Sequence, residues 1–413
     1  MAAAVFVLGG YQTDFARHFQ REGVGLEAPV AEVVDETLES AGLSASDVGA
    51  IHVGNAFGEL FTGQAQLGAM PATVRHELWG KPAARHEGAC ASGGLAVLAA
   101  SAEIEAGRTD CALVLGVEQE RNVPGELAAQ HMGTAAWIGH EGREARYMWP
   151  YMFSRVAEVV AEKSALQPAH LAALAESAFD NARHNDKAQT RRWSFPDGVF
   201  AQGWEDDTKN PIVEGRLRRL DCGQVTDGAV GLVLASASFA REYARRRGLD
   251  IATIPRLLGW GHRTAGLGLE EKLARRNGYL LPHLRETVRD AYRRAEIPGP
   301  EALQGAEVHD CFTITGYLAV DHLGLTAPFE SHRAIEDGTI RRSGRFPLNP
   351  SGGLIGLGHP VGATGVRMVL DAARQTSGQA GEAQVAGARR FATLNIGGSA
   401  TTVVAFVVGV EED

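Results

Sequence analysis

The chain has 413 residues, 45% of them hydrophobic and 22% charged, with a formal net charge of −10. That length exceeds one typical core and predicts two domains or a duplicated one, while the acidic balance argues against nucleic acid as the main partner. No stretch reaches the length of a membrane span, and the four widely separated cysteines show no metal-site or redox spacing, which fits reduced thiols in the cytoplasm.

Val5 to Leu8 is an apolar run without a basic leader that breaks early at glycine, so it reads as a first buried strand rather than a signal peptide. Ala31 to Ala41 has apolar residues at helical spacing, and Gly49 to Gly54 returns to strand. Next comes Gly88-Ala89-Cys90-Ala91-Ser92-Gly93-Gly94, which opens a buried helix over Gly93 to Ala106 and leads to a strand over Cys111 to Val117. A cysteine where strand turns into helix gains thiolate character from the helix's partial positive end and from a nearby base. Its alanine and glycine neighbours keep the sulfur accessible. Most free cysteines are nonetheless small buried packing residues, so Cys90 alone leaves both readings open.

From about Glu118 to Leu217 the pattern changes, with tryptophan, methionine, histidine and proline frequent and helical segments at Tyr151 to Ser164 and Ala169 to Asn185. Excursions of this length are usually lids or binding loops. Strand character resumes over Asp227 to Ala235. The cluster Arg245-Arg246-Arg247 then sits in a helix-like stretch and reads as a solvated face rather than a phosphate site.

After Pro255 a second half echoes the first. Val308-His309-Asp310-Cys311-Phe312-Thr313 places an imidazole and a thiol two residues apart, on one side of a strand or sharp turn. Such a pair can hold an oxyanion and shuttle a proton. The loop Gly356-Leu357-Gly358-His359-Pro360-Val361-Gly362-Ala363-Thr364-Gly365 lacks both the ending of a P-loop and the dinucleotide spacing. It is either a structural glycine loop or one that presents an imidazole, and Pro360 favours presentation. Phe391 to Asn395, Gly397-Gly398 and Ala400 to Val408 imitate Cys111 to Val117 and Asp227 to Ala235, and a helix over Gly362 to Ala373 stands where the helix after Cys90 stood. Two such halves would put both helix starts near a pseudo-twofold axis, where Cys90 and His359 could meet.

Taken together the chain resembles the thiolase superfamily, in particular the sterol-carrier-protein-type and archaeal acetoacetyl-CoA (acetyl-CoA acetyltransferase-like) branches. The matching segments are Glu87 to Gly93, His309-Asp310-Cys311-Phe312, Asn349-Pro350-Ser351-Gly352-Gly353-Leu354, Gly358 to Gly365, and Asn395-Ile396-Gly397-Gly398. The resemblance implies an α/β thiolase-like fold of duplicated α-β-α-β-α layered halves. Residues 1–117 plus 218–250 would form the first half, 251–413 the second, and 118–217 an inserted loop domain for CoA and acyl recognition.

It also implies roles. Cys90 would be the acylated nucleophile, and His359 would take its proton and help polarise the thioester oxygen of the enolate-forming group. His309 would complete that first oxyanion hole. The backbone N–H groups of Cys90 and Gly397 would form a second hole. Asn395 stands where many thiolases carry a second catalytic cysteine, so Cys311 becomes the acid/base candidate, while Cys111 and Cys222 are assigned to packing.

The expected activity is CoA-dependent cleavage of a 3-ketoacyl-CoA or the reverse Claisen condensation, with CoA as substrate and no permanently bound cofactor or metal. Two alternatives are a condensing enzyme with a non-CoA acceptor and a non-catalytic lipid-binding or scaffold protein of the same fold. The family further suggests a homodimer or homotetramer, with a small zinc-ribbon/OB-fold protein as a possible partner.

Overall fold

In the computed structural model, which describes residues 4–201, 203–275 and 277–410, the apolar runs pair as strands. In chain order these are Val5–Gln12 (β1), Ala50–Gly54 (β2), Ala83–His86 (β3), Cys111–Glu118 (β4), Ile212–Glu214 (β5), Leu217–Arg218 (β6), Gly228–Ser236 (β7), Arg256–Thr264 (β8), Ala306–Val308 (β9), Arg390–Gly397 (β10) and Thr402–Gly409 (β11). Nine of them form one sheet in the order β3-β2-β4-β7-β1-β8-β11-β10-β9, while β5 and β6 make a separate hairpin.

The order is a repeat. At the centre β1 meets β8 through Val5 with Leu257 and Phe6 with Arg256. Outward on one side β1, β7 and β4 pair antiparallel and β4 then pairs parallel with β2. On the other side β8, β11 and β10 pair antiparallel and β10 then pairs parallel with β9. The similarity of 391–408 to the earlier runs is therefore a repeated strand pair, β10 with β11 standing where β4 stands with β7.

These strands are apolar on both faces because both faces are covered. Along β7, Val230, Leu232 and Leu234 point into one core while Ala229, Val233 and Ala235 point into another. Cys111 belongs to the second of these cores and packs there, as its sequence context suggested. Outer helices Glu27–Ala41 and Pro282–Arg294 lie against β1 with β7 and against β8 with β11, respectively. Inner helices Ser92–Glu105 and Thr364–Thr376 pack on each other and touch strands of both halves. The inner helix pair is thus shared by the two halves of the sheet, and each half carries its own outer helix.

Close approach of the inner helices depends on glycine. A Cβ on Gly365 would lie 2.0 Å from the Gly94 nitrogen, and one on Gly93 would lie 2.7 Å from the Gly362 carbonyl oxygen. Side chains there would force apart the two helix starts that carry Cys90 and His359.

Between β4 and β7 the chain leaves the sheet to form helices Gly125–Gly133, Met148–Ala161 and Pro168–Ala182. Met152, Phe153, Val156, Ala157 and Val160 recur at helical spacing and join a core with Leu273, Leu284, Ile314 and Tyr317. Burial of each larger apolar side chain contributes about 1.5–3 kcal/mol, so this excursion is fastened to the second half. The Arg245 to Arg247 cluster ends helix Ala237–Arg247 and is solvent-exposed, where cations complement the helix dipole. Among the described residues no helix is long and apolar enough to cross a membrane.

Candidate active site

Cys90 lies in a tight turn between β3 and helix Ser92–Glu105. Ala89 just before it has φ of +51°, a left-handed conformation that costs a non-glycine residue energy. Local hydrogen bonds hold the turn: Glu87 Oε1 accepts from the Ala89 N–H at 2.6 Å, and Ser92 Oγ accepts from Gly88 N–H at 3.0 Å while donating to Ala89 O at 2.6 Å. The backbone N–H groups of Gly398 and of Cys90 itself face the Cys90 sulfur. Gly397 presses on this turn, since a Cβ there would meet the Gly88 carbonyl at 2.1 Å.

From the other half, the loop before helix Thr364–Thr376 brings in His359. Its backbone N–H donates to Thr226 Oγ1 at 2.9 Å, and the following residues donate to buried carboxyls, Val361 N–H to Glu120 Oε1 at 2.8 Å and Gly362 N–H to Glu118 Oε2 at 3.0 Å. Glu118 also accepts from Asn55 Nδ2, Ala56 N–H and Phe57 N–H at 2.8, 2.8 and 3.1 Å. One carboxyl thereby ties the loop after β2 to the histidine loop.

Cys90, His309 and His359 converge: one sulfur and two imidazole nitrogens lie within 4.8 Å of one another. The rings of His309 and His359 meet edge to face at 5.1 Å. Two hydrogen-bond patterns fix the tautomers. Thr364 Oγ1 lies 2.6 Å from His359 Nδ1 and 3.0 Å from Pro360 O. A carbonyl can only accept, so the threonine hydroxyl donates to Pro360 and accepts from Nδ1–H, which leaves His359 Nε2 with a free lone pair. That nitrogen is buried and has no partner among the described residues. His309 is the reverse case. Asn395 Nδ2 donates to Cys90 O at 2.9 Å and, with its other hydrogen, to His309 Nδ1 at 3.3 Å. The His309 proton is therefore on Nε2, as a donor.

Charge is kept out of the resting site. Burial pushes the Cys90 thiol up to about 12, aided by the nearby Glu120 carboxyl. Burial likewise pushes His359 down to about 3 and His309 well below the usual imidazole range, with the Arg367 guanidinium adding to both. This corrects the expected thiolate character at Cys90: desolvation outweighs the turn's N–H groups, and the resting pair is neutral thiol and neutral imidazole. Arg367 is itself fully buried and held by Glu307 Oε2 at 2.6 Å, Ser351 Oγ at 3.0 Å and Asp371 Oδ2 at 3.0 Å.

Cys311 and Cys90 line one cavity of about 180 Å³. Burial and the neighbouring Cys90 push the Cys311 thiol well above its ordinary range. Its position is set by Asp310, whose Oδ1 accepts from Leu354 N–H at 2.6 Å, so the Asn349 to Leu354 segment braces the His309 to Phe312 segment. The excursion between β4 and β7 closes the cavity with Met132, Met148, Trp149 and Phe153. Cys222, assigned to packing from sequence, also lines this cavity, because Gly223 N–H donates to Cys311 O at 2.8 Å and draws the two segments together.

The structure brings Cys90, His309, His359 and Cys311 together, whereas Gly397 lies against the Gly88 turn on a neighbouring cavity and Gly398 lines the wall beside Cys90. Residues that sequence reasoning missed are Thr364, Asn395 as a tether, Glu118, Glu120 and Arg367. Thr364 stands five positions after His359, on the first turn of the helix, and that spacing was the available signal. One thiolate-type and two imidazole donors are also what a soft divalent metal takes. A metal-bound imidazole also hydrogen-bonds its other nitrogen, so that pattern fits either use; the unpartnered His359 Nε2 beside the Cys90 thiol is placed for acid/base chemistry.

Comparison with known proteins bears on the family and the fold. The family description "Thiolase, N-terminal domain" matches residues 5–238, and "Thiolase C-terminal domain-like" matches residues 269–410. An acetyl-CoA acetyltransferase of Methanothermobacter thermautotrophicus is 32% identical over 406 residues, covering 98% of each chain. Human sterol carrier protein 2 is 27% identical, covering 99% of this chain and 72% of that protein. Among solved structures, the Ltp2-ChsH2(DUF35) aldolase superposes with a TM-score of 0.74 at 20% identity, covering 99% of this chain and 98% of the other. Human mitochondrial 3-ketoacyl-CoA thiolase in complex with CoA gives 0.69 at 14% identity, covering 100% and 99%.

Proposed function

The chain belongs to the thiolase family, and on that premise we propose that it is a CoA-dependent acyltransferase working through an acyl group on Cys90. The observation that carries this reading is the convergence of Cys90, His309 and His359 within 4.8 Å, their imidazoles in opposite tautomers, beside a second thiol in one cavity.

In the cleavage direction, His359 Nε2 takes the Cys90 proton as the sulfur bonds to the 3-keto carbon of a 3-ketoacyl-CoA. The backbone N–H groups of Cys90 and Gly397 receive the resulting oxyanion, each such donor being worth about 3 kcal/mol. The carbon–carbon bond then breaks and its electron pair passes to the thioester enolate. Enolate oxygen accepts from His309 Nε2–H and from the protonated His359. Cys311 S–H delivers a proton to the enolate carbon, and acetyl-CoA leaves. Incoming CoA gives its thiol proton to the Cys311 thiolate and attacks the acyl carbon, while the departing Cys90 sulfur recovers the proton held by His359. The reverse sequence is a Claisen condensation.

On this reading residues 118–217 recognise CoA and the acyl chain, the working form is a cytoplasmic homodimer or homotetramer, and a small zinc-ribbon/OB-fold protein is a candidate partner. Thiolysis of 3-ketoacyl-CoA substrates of graded chain length tests the reaction. Wild-type protein is expected to consume them, with free CoA as acceptor, and Cys90→Ala protein to lose turnover by at least about 1,000-fold. Normal cleavage by Cys90→Ala would sink the reading.

A further inference from the structure

Among the groups that the mechanism leaves unused in the cavity is a buried carboxyl. Glu120 lines the wall beside Cys90 and His359 and is 1% exposed. Its backbone is anchored, since Asp227 Oδ1 accepts from the N–H groups of Glu120 and Arg121 at 2.8 and 2.9 Å. Its side chain is half employed. Oε1 accepts from Val361 N–H at 2.8 Å and the Thr226 N–H also faces the carboxyl, whereas Oε2 is buried with no hydrogen-bond partner among the described residues.

Around it the wall is largely carbon, with Phe57, Met132, Met148, Phe153 and Val361 among its members. Burial raises the Glu120 carboxyl well above its ordinary range, and the neighbouring Glu118 and Asp227 carboxyls act in the same direction. A carboxylic acid in this state offers one O–H donor. A plain alkyl chain filling the cavity would seal that donor from water without replacing its hydrogen bond, an arrangement that binding sites penalise.

We propose that Glu120 is a specificity-determining residue: through Oε2 it donates a hydrogen bond to an oxygen on the acyl chain, so the site selects hydroxy- or oxo-substituted apolar acyl groups over unsubstituted ones. The proposal rests on reading the cavity as an acyl-CoA site. It concerns an oxygen additional to the 3-keto group that Cys90 attacks.

The test measures binding to Cys90→Ala protein, which cannot turn over, by calorimetry. The probes are acyl-CoA esters of one chain length carrying no extra oxygen, one hydroxyl or one oxo group at successive carbons. At least one oxygenated ester is expected to bind about 10-fold more tightly than the plain one. Adding Glu120→Met should abolish the ratio, whereas Glu120→Gln, which keeps a neutral N–H donor, should retain it. The ratio is the decisive readout, because a purely structural role for Glu120 would weaken all esters alike. Binding of every ester within about twofold of the plain one, or a ratio that survives Glu120→Met, would overturn the proposal while leaving acyl transfer intact. Failure of every ester to bind would overturn both.

Discussion

Replacing Thr364 by valine removes one oxygen and leaves nearly the same shape. In the native site that oxygen is 2.6 Å from His359 Nδ1 and passes its own hydrogen to Pro360 O at 3.0 Å. Without it, the Nδ1–H tautomer buries an unsatisfied donor, at a cost of about 1–3 kcal/mol. The imidazole can avoid that cost by moving its proton to Nε2, which deprives Cys90 of its base. The useful tautomer then falls in population by roughly 5- to 150-fold, because each 1.4 kcal/mol is a factor of ten. Steady-state thiolysis of a 3-ketoacyl-CoA should therefore show kcat reduced by roughly 5- to 150-fold with KM little changed, since Thr364 is behind the histidine and away from the cavity. Thr364→Ser should recover most of the loss. If Thr364→Val kept kcat within twofold of wild type, the tautomer assignment and the base role built on it would be wrong.

With Cys90 raised to about 12 and His359 lowered to about 3, both are neutral between those values. Neither should add a limb to the pH profile of kcat/KM within that window; His359 stops accepting a proton only as pH falls through its own value. Alkylation of Cys90 by iodoacetamide should climb about tenfold per pH unit through the neutral and mildly alkaline range, following the thiolate fraction. A plateau near neutrality would reveal a preformed ion pair instead. Cys311→Ala should acetylate Cys90 from acetyl-CoA more slowly, because CoA then leaves without its proton donor, and should lose solvent deuterium exchange into the acetyl methyl by at least about 100-fold; retention of exchange would remove Cys311 from the proton path. Gly365→Ala places a methyl 2.0 Å from the Gly94 nitrogen, so it should cost about 3 kcal/mol or more in denaturant titration; a change under about 0.5 kcal/mol would contradict the close helix contact.

Local pattern carried much of the fold. The strands of β1, β4, β7, β10 and β11 announce themselves as apolar runs because both faces are buried, and the helices after Cys90 and His359 follow their glycine-rich turns within a few residues. Even the duplication was visible, as the likeness of 391–408 to the runs that became β4 and β7. What local pattern could not convey was long-range pairing of polar atoms. Glu118 reaches the His359 loop across 244 positions, and Asn395 reaches Cys90 across 305. Electrostatic outcome was also hidden, since helix-end and base arguments predict an activated thiolate while burial decides the matter in the other direction. Cys222 shows the same limit: nothing in its neighbours signals a cavity wall, which arises from its pairing with the Phe312 strand-like segment.

The most direct measurement is rapid-quench peptide mass spectrometry during a single turnover of a 3-ketoacyl-CoA. The account predicts an acyl mass on the peptide containing Cys90, appearing before product and discharged on addition of free CoA. An acyl group found only on Cys222 or Cys311, or turnover with no adduct on Cys90, would contradict it.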